Sequence, residues 1–155
     1  MASITITFSI VPELQMSEMR AVGFLEGHQD LDAAEKYDSF PQKHREQIGR
    51  HMEHWTAGNN GPKNWFHGFP NRLGHKECFE FKYRSDRLLG FLCHPCPYSN
   101  PAFLLCVLTT YHDKHEWQID DALLDDVELW RNSLASRKAI GYTYPEYVAG
   151  VAWTN

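Results

Sequence analysis

The sequence predicts an α+β fold, with an N-terminal strand and helices packed on an antiparallel β-meander and a C-terminal helix. Three observations carry that prediction. Residues 3–11 alternate strictly, with Ile4, Ile6, Phe8 and Ile10 on one side and Thr5, Thr7 and Ser9 on the other. Three strand-like runs, at 77–84, 87–94 and 103–110, follow one another through short connections, which implies antiparallel neighbours. Apolar residues recur at helical spacing on either side of those runs.

Taken in order, the first strand stops at Pro12, which cannot donate to a ladder. The stretch 13–29 has no clear period, because Gly23 and Gly27 interrupt it. Residues 30–37 read as a helix with Asp30 as N-cap. Residues 39–57 form a stronger helix. Ser39 or Asp38 caps it, Pro41 suits its first turn, and Ile48, Met52 and Trp55 mark its buried stripe. Its polar face holds His44, Arg45, Arg50, His51 and His54, which a solvated face explains as well as any function does. Gly58 ends it.

Residues 63–76 read as a loop or irregular strand with Trp65, Phe66 and Phe69. In the first meander strand, Phe79, Phe81 and Tyr83 face one way and Cys78, Glu80, Lys82 and Arg84 the other. Ser85-Asp86 supplies a tight turn. The run 103–110 is apolar on both faces, as suits a central strand. Residues 116–136 read as one amphipathic helix with Ile119, Leu123, Val127, Trp130 and Leu134 inward and Asp120, Asp121, Asp125 and Asp126 outward. The tail 141–155, with Tyr142, Tyr144, Tyr147 and Trp153, is expected to dock on the body or on a partner.

Bulk properties narrow the function classes. With 155 residues the chain is expected to form one domain over 1–155 that buries a core without staples. A 43% hydrophobic and 14% aromatic content argues against disorder. No run of about 18 apolar residues exists, so no membrane partner is expected. The first residues lack the basic start and apolar core of a secretion signal, so the expected location is cytoplasmic. Cys78, Cys93, Cys96 and Cys106 are then reduced thiols. Cys93-His94-Pro95-Cys96 has the spacing of half a zinc site or of a redox pair. Cys78 and Cys106 lie inside strand patterns, where cysteine behaves as a small buried hydrophobe, so neither metal nor cofactor is expected.

A net charge of −5 argues against binding nucleic acid by bulk electrostatics. The bases are nonetheless concentrated in the middle, where Lys63, Arg72, Lys76, Lys82, Arg84 and Arg87 face only Glu77, Glu80 and Asp86. Metal-free RNA cleavage needs groups that move protons near neutrality and groups that offset phosphate charge, and imidazoles and guanidiniums meet those needs. Here Lys76, Lys82 and Arg84 flank the first meander strand, Arg87 opens the second, and Tyr111, His112, Lys114 and His115 follow the third. Whether Lys76 or Lys82 meets Arg87 and His112 depends on strand register.

The order of motifs resembles the RelE/HigB superfamily of toxins from type II toxin–antitoxin pairs. The likeness runs through Phe-Pro-Gln-Lys-His-Arg-Glu-Gln-Ile at 40–48 and Cys-Phe-Glu-Phe-Lys at 78–82. It continues with Ser-Asp-Arg-Leu-Leu-Gly-Phe-Leu at 85–92 and Phe-Leu-Leu-Cys-Val-Leu-Thr-Thr-Tyr-His-Asp-Lys at 103–114, and ends in the following helix near 133. The resemblance implies a RelE-like domain with an N-terminal extension and an aromatic C-terminal tail. It implies a metal-independent endoribonuclease (mRNA interferase) that cleaves mRNA, in many members on the ribosome, and is neutralised by a cognate antitoxin protein. Arg87 stands at the family's phosphate-binding arginine, Lys82 replaces the arginine of a "Glu-x-Arg" strand, and His112 and Lys114 fall in the catalytic terminal segment. The expected catalytic set is Arg87, His112, Lys114 and His115, with Lys76, Lys82, Arg84 and Tyr111 on RNA. The acidic helix and the tyrosine-rich tail also fit a different outcome, an inactive RelE-fold protein that binds protein or RNA.

Overall fold

The structure, a computed structural model, describes residues 5–11, 18–114 and 119–148. Among these the chain forms strands β1 (Thr7–Ile10) and β2 (Arg20–Glu26), then helices α1 (Ala33–Ser39) and α2 (Gln42–Thr56). Strands β3 (Phe66–Gly68), β4 (Cys78–Tyr83), β5 (Asp86–Cys93) and β6 (Leu104–Asp113) follow, and then helices α3 (Asp121–Arg131) and α4 (Leu134–Thr143) and a single 3-10 turn at Pro145–Tyr147. The strands make one six-stranded mixed sheet in the order β1-β2-β6-β5-β4-β3. The α+β class predicted above is therefore observed, and β4, β5 and β6 are the antiparallel meander.

The sheet is mixed because β2 lies parallel to β6, pairing Arg20 with Leu104 through Phe24 with Leu108. Strand β2 was hidden in the sequence by Gly23. That glycine is a packing necessity, since a Cβ there would sit 2.4 Å from the Phe8 ring of β1. Residues 105–108 of β6 are fully buried, as a strand covered on both faces must be. One face packs Val22, Phe24, Phe79, Phe81, Leu88 and Leu108 against Tyr37 of α1 and Ile48, Met52 and Trp55 of α2. The other packs Leu25, Cys78, Leu89, Phe91 and Val107 against Leu124 and Val127 of α3 and Ala139 and Ile140 of α4. Each fully buried leucine or phenylalanine contributes roughly 2 kcal/mol by transfer from water.

Several local expectations need correction. The first helix starts at Ala33, not Asp30, and Asp32 makes no capping bond because its carboxylate accepts from Tyr111 N instead (2.8 Å). Neither Ser39 nor Asp38 caps α2, which begins after Pro41 without a side-chain cap. The irregular stretch 63–76 holds the short strand β3. The β4–β5 turn is Arg84-Ser85, one residue earlier than expected, with Arg84 at φ 53°. The expected single helix over 116–136 is two helices, because the Ser133 hydroxyl oxygen accepts from the Ser136 backbone N–H and starts α4. Consequently Leu134 is 48% exposed rather than inward, while Leu124 is buried. On α2, His51 is buried and not solvated. In the tail, Tyr147 is buried but Tyr142 is 92% exposed, so the tyrosines do not dock as a group. Ser3, Ile4, Pro12, Glu116, Trp153 and the candidate His115 lie outside the described residues. Among the described residues, no helix is long and apolar enough to cross a membrane.

Candidate functional site

Register decides which of the predicted bases meet. Lys82 pairs with Arg87 across β4–β5, and Arg87 pairs with His112 across β5–β6. Directly opposed residues present their side chains on one face, so Lys82, Arg87 and His112 form a row across three strands. The next row inward is His67, Glu80, Leu89 and Thr110. A bulge follows, where Thr109 has no partner and its hydroxyl bonds Leu89 O (3.3 Å). Gly90 permits that close approach, because a Cβ there would lie 2.0 Å from Val107 O.

Glu80 is the residue that sequence reasoning missed. It is 0% exposed, and neither carboxylate oxygen has a well-aligned hydrogen bond among the described residues. Its neighbours at ion-pair distance are two basic side chains, His67 Nε2 at 2.7 Å and Arg87 Nε at 3.9 Å, both toward Oε1. His67 Nδ1 lies 2.7 Å from Gly68 O, which can only accept. A carboxylate this deep requires a cation such as Arg87, since an unpaired buried charge is prohibitively costly.

Arg87 is correspondingly well held. Its Nη1 donates to Arg84 O in the turn and to Asp86 O (2.9 Å), and its side chain is only 13% exposed. Lys82 is half-buried. Burial holds its ammonium below the usual lysine value, Glu80 opposes that shift, and the charges of Arg87 and Lys114 reinforce it. The β4 backbone is pinned from behind. His51 Nδ1 sits 2.7 Å from Lys82 O, and its ring stacks on Trp65 at 4.6 Å. Burial lowers the His51 value, the Lys82 carbonyl opposes, and His54 adds to the lowering. Lys114 closes the same corner, donating its backbone N–H to Ser85 O (2.8 Å).

Three expected RNA contacts fall elsewhere. Tyr111 pairs with Leu88, so it lies on the opposite face from Arg87 and His112. Its hydroxyl donates to Asp86 Oδ1 (2.6 Å), its ring packs on Phe40, and burial pushes its hydroxyl proton affinity up. Lys76 is exposed before the start of β4, roughly 20 Å along the strand from Lys82 at about 3.3 Å per residue. Beside it, Arg72 and His75 are engaged with Asp121 and Asp125 of α3. Arg84 is exposed in the turn with its guanidinium 5.4 Å from the Tyr83 ring, so it borders the row without joining it.

The thiols are poorly suited to chemistry. Burial pushes Cys78 and Cys93 up to about 12 and Cys106 well above the ordinary thiol value. All four cysteines are free, and among the described residues no three His, Cys, Asp or Glu side chains gather as metal ligands would. No family model, no curated protein and no solved structure matches this chain.

Proposed function

We propose that the chain is a RelE/HigB-like toxin, a metal-independent endoribonuclease acting on mRNA and restrained by a cognate antitoxin. The observation that carries this reading is the row Lys82–Arg87–His112 on one face of consecutive strands. The motifs of the resemblance fall in turn on α2, β4, β5 and β6, which supports the same reading.

The row suits cleavage by the RNA's own 2′-hydroxyl. Attack on phosphorus forms the 2′-oxygen–phosphorus bond and breaks the bond to the 5′-oxygen, leaving a 2′,3′-cyclic phosphate and a 5′-hydroxyl. His112 takes the 2′-hydroxyl proton. Arg87, in the middle, offsets charge on the phosphate oxygens. Lys82, whose ammonium is held below its usual value, gives a proton to the departing 5′-oxygen. Two strand spacings, about 10 Å, separate the outer members, so base and acid lie on opposite sides of a phosphate centred on Arg87. Such opposition is what in-line displacement requires.

One observation favours the second reading, a binding module that does not cut. Arg87 already satisfies Nη1 on two carbonyls and faces Glu80 through Nε. The test is induction in a host followed by mapping of mRNA 5′ ends. New ends, lost in Arg87→Ala and His112→Ala, are the expected result. They should persist in the purified reaction with chelator and vanish when the attacked ribose is 2′-deoxy. Intact transcripts under growth arrest would overturn cleavage and leave the binding module.

A further inference from the structure

The loop after β2 and helix α3 enclose a groove of about 500 Å³ over the end of β6. One wall is α3, through Leu123, Asp126, Leu129 and Trp130. Leu123, Asp126 and Trp130 recur at helical spacing and so share one side of the helix. They span about 10 Å along its axis, the reach of about three residues of extended chain. The other wall is His28, Asp30 and Asp32. Thr110 of β6 lies at the floor. It pairs with Leu89, so it faces the same way as His112 two residues on, about 7 Å along the strand.

Both walls are braced. The Asp32 carboxylate accepts from Tyr111 N (2.8 Å), Leu31 N donates to His28 O (2.9 Å), and the His28 ring meets Trp130 edge-on at 5.2 Å. Apolar surface is left open between them, with Leu129 70% exposed and Leu123 and Trp130 half-buried. The acids around that surface meet no lysine or arginine. Among the described residues, the Asp30 carboxylate is paired only with the His28 imidazole (3.6 Å), Asp32 serves the Tyr111 amide, and the Asp126 carboxylate has no partner. Lys36, one helical turn from Asp32, holds its Nζ over the Tyr111 ring instead (5.4 Å).

We infer that this groove docks a short segment of a partner protein, an apolar side chain flanked by lysine or arginine. The inference stands on the groove and does not require the ribonuclease reading. Charge complementarity selects the occupant. Asp30, Asp32 and Asp126 repel phosphate, so neither nucleic acid nor an anionic lipid headgroup fits, whereas basic side chains on either side of an apolar anchor meet all three. Leu129 and Trp130 supply the apolar contact that the anchor covers. Walls already tied to β6 and to each other need little ordering on binding. A segment seated on Thr110 borders the row Lys82–Arg87–His112, so docking there places the partner beside the cationic face.

The test uses the full chain and a short fluorescent peptide of arginine and leucine in a serine background. Two control peptides replace the leucines by serine or the arginines by glutamate. Anisotropy titrations should show the arginine–leucine peptide bound more tightly than either control. Asp30→Asn/Asp126→Asn should weaken it about tenfold, as the loss of two partly exposed ion pairs gives. Leu129→Ser should weaken it severalfold, and Asp38→Asn/Glu53→Gln, which removes the same charge outside the groove, should leave it unchanged. Asp30→Lys/Asp126→Lys should transfer the preference to the glutamate–leucine peptide; if that variant does not fold, the asparagine pair decides. No binding, equal binding of the serine control, or equal losses in the two charge-removing pairs would overturn the inference, since affinity would then follow only the net charge of −5. Self-association of the unaltered chain that Leu129→Ser abolishes would overturn it too, assigning the groove to a second copy.

Discussion

Replacing Glu80 by glutamine keeps the side chain's size and removes its charge, leaving Arg87 without its counterion. The carboxylate is 0% exposed and Arg87 lies 3.9 Å away. At an effective dielectric of about 20, one such attraction is about 4 kcal/mol. Arg87 retains some contact with water, so the loss should fall at the low end of the roughly 3–5 kcal/mol seen on breaking buried pairs. We expect about 3 kcal/mol in urea unfolding, or roughly 6–12 °C in Tm for a chain of this size. A double-mutant cycle with Arg87→Met then isolates the pair. Arg87→Met should cost less in the Glu80→Gln background than alone, because the stranded cation is gone. A loss below about 1 kcal/mol for Glu80→Gln, or additivity within about 0.5 kcal/mol, would refute the view that Glu80 anchors Arg87.

Further expectations follow from the same geometry. Gly90→Ala forces a Cβ to within 2.0 Å of Val107 O, so strands β5 and β6 must part, and urea unfolding should report a loss of more than about 2 kcal/mol. Because burial lowers the Lys82 ammonium in the folded chain, the unfolded chain holds that proton more tightly, and stability should rise with pH from the folded value up to the ordinary lysine value. Lys82→Met should flatten that alkaline rise in urea titrations, and superimposable profiles would contradict the assignment. With burial pushing Cys78 and Cys93 up to about 12 and Cys106 higher still, a thiol reagent near pH 8 should leave these three unmodified in the native protein and label them after unfolding. Rapid labelling of Cys93 in the native state would restore the redox-pair reading of Cys93 and Cys96.

The meander was legible in the sequence because 78–83 alternates and 104–108 is apolar throughout, two signals that survive without tertiary information. Strand β2 was not, because its Gly23 is explained by the Phe8 ring, a contact that no local pattern encodes. The break between α3 and α4 was written in Asn132-Ser133, where Ser133 caps a new helix inside an otherwise helical pattern. Of the row Lys82–Arg87–His112, the basic residues are legible in the sequence but their company is not. Glu80 reads as surface because it alternates with Lys82 and Arg84. The available clue is Cys78, which shares its face and behaves as a small buried hydrophobe, so the face turns inward before Lys82. Tyr111 falls on the face away from Arg87 for the complementary reason, since adjacency to His112 in sequence means opposite faces in a strand.

The parallel pairing of β2 with β6 also bears on how the chain is made. Arg20–Phe24 find their partners only at Leu104–Leu108, roughly 80 residues later, so the hairpin of β1 and β2 leaves the ribosome with one edge unpaired. At translation rates of about 5–20 residues per second, that apolar edge waits several seconds for its neighbour. A nascent chain of this kind is exposed to edge-to-edge association throughout that interval, and a helper that covers an open strand would act best on the unfinished polypeptide.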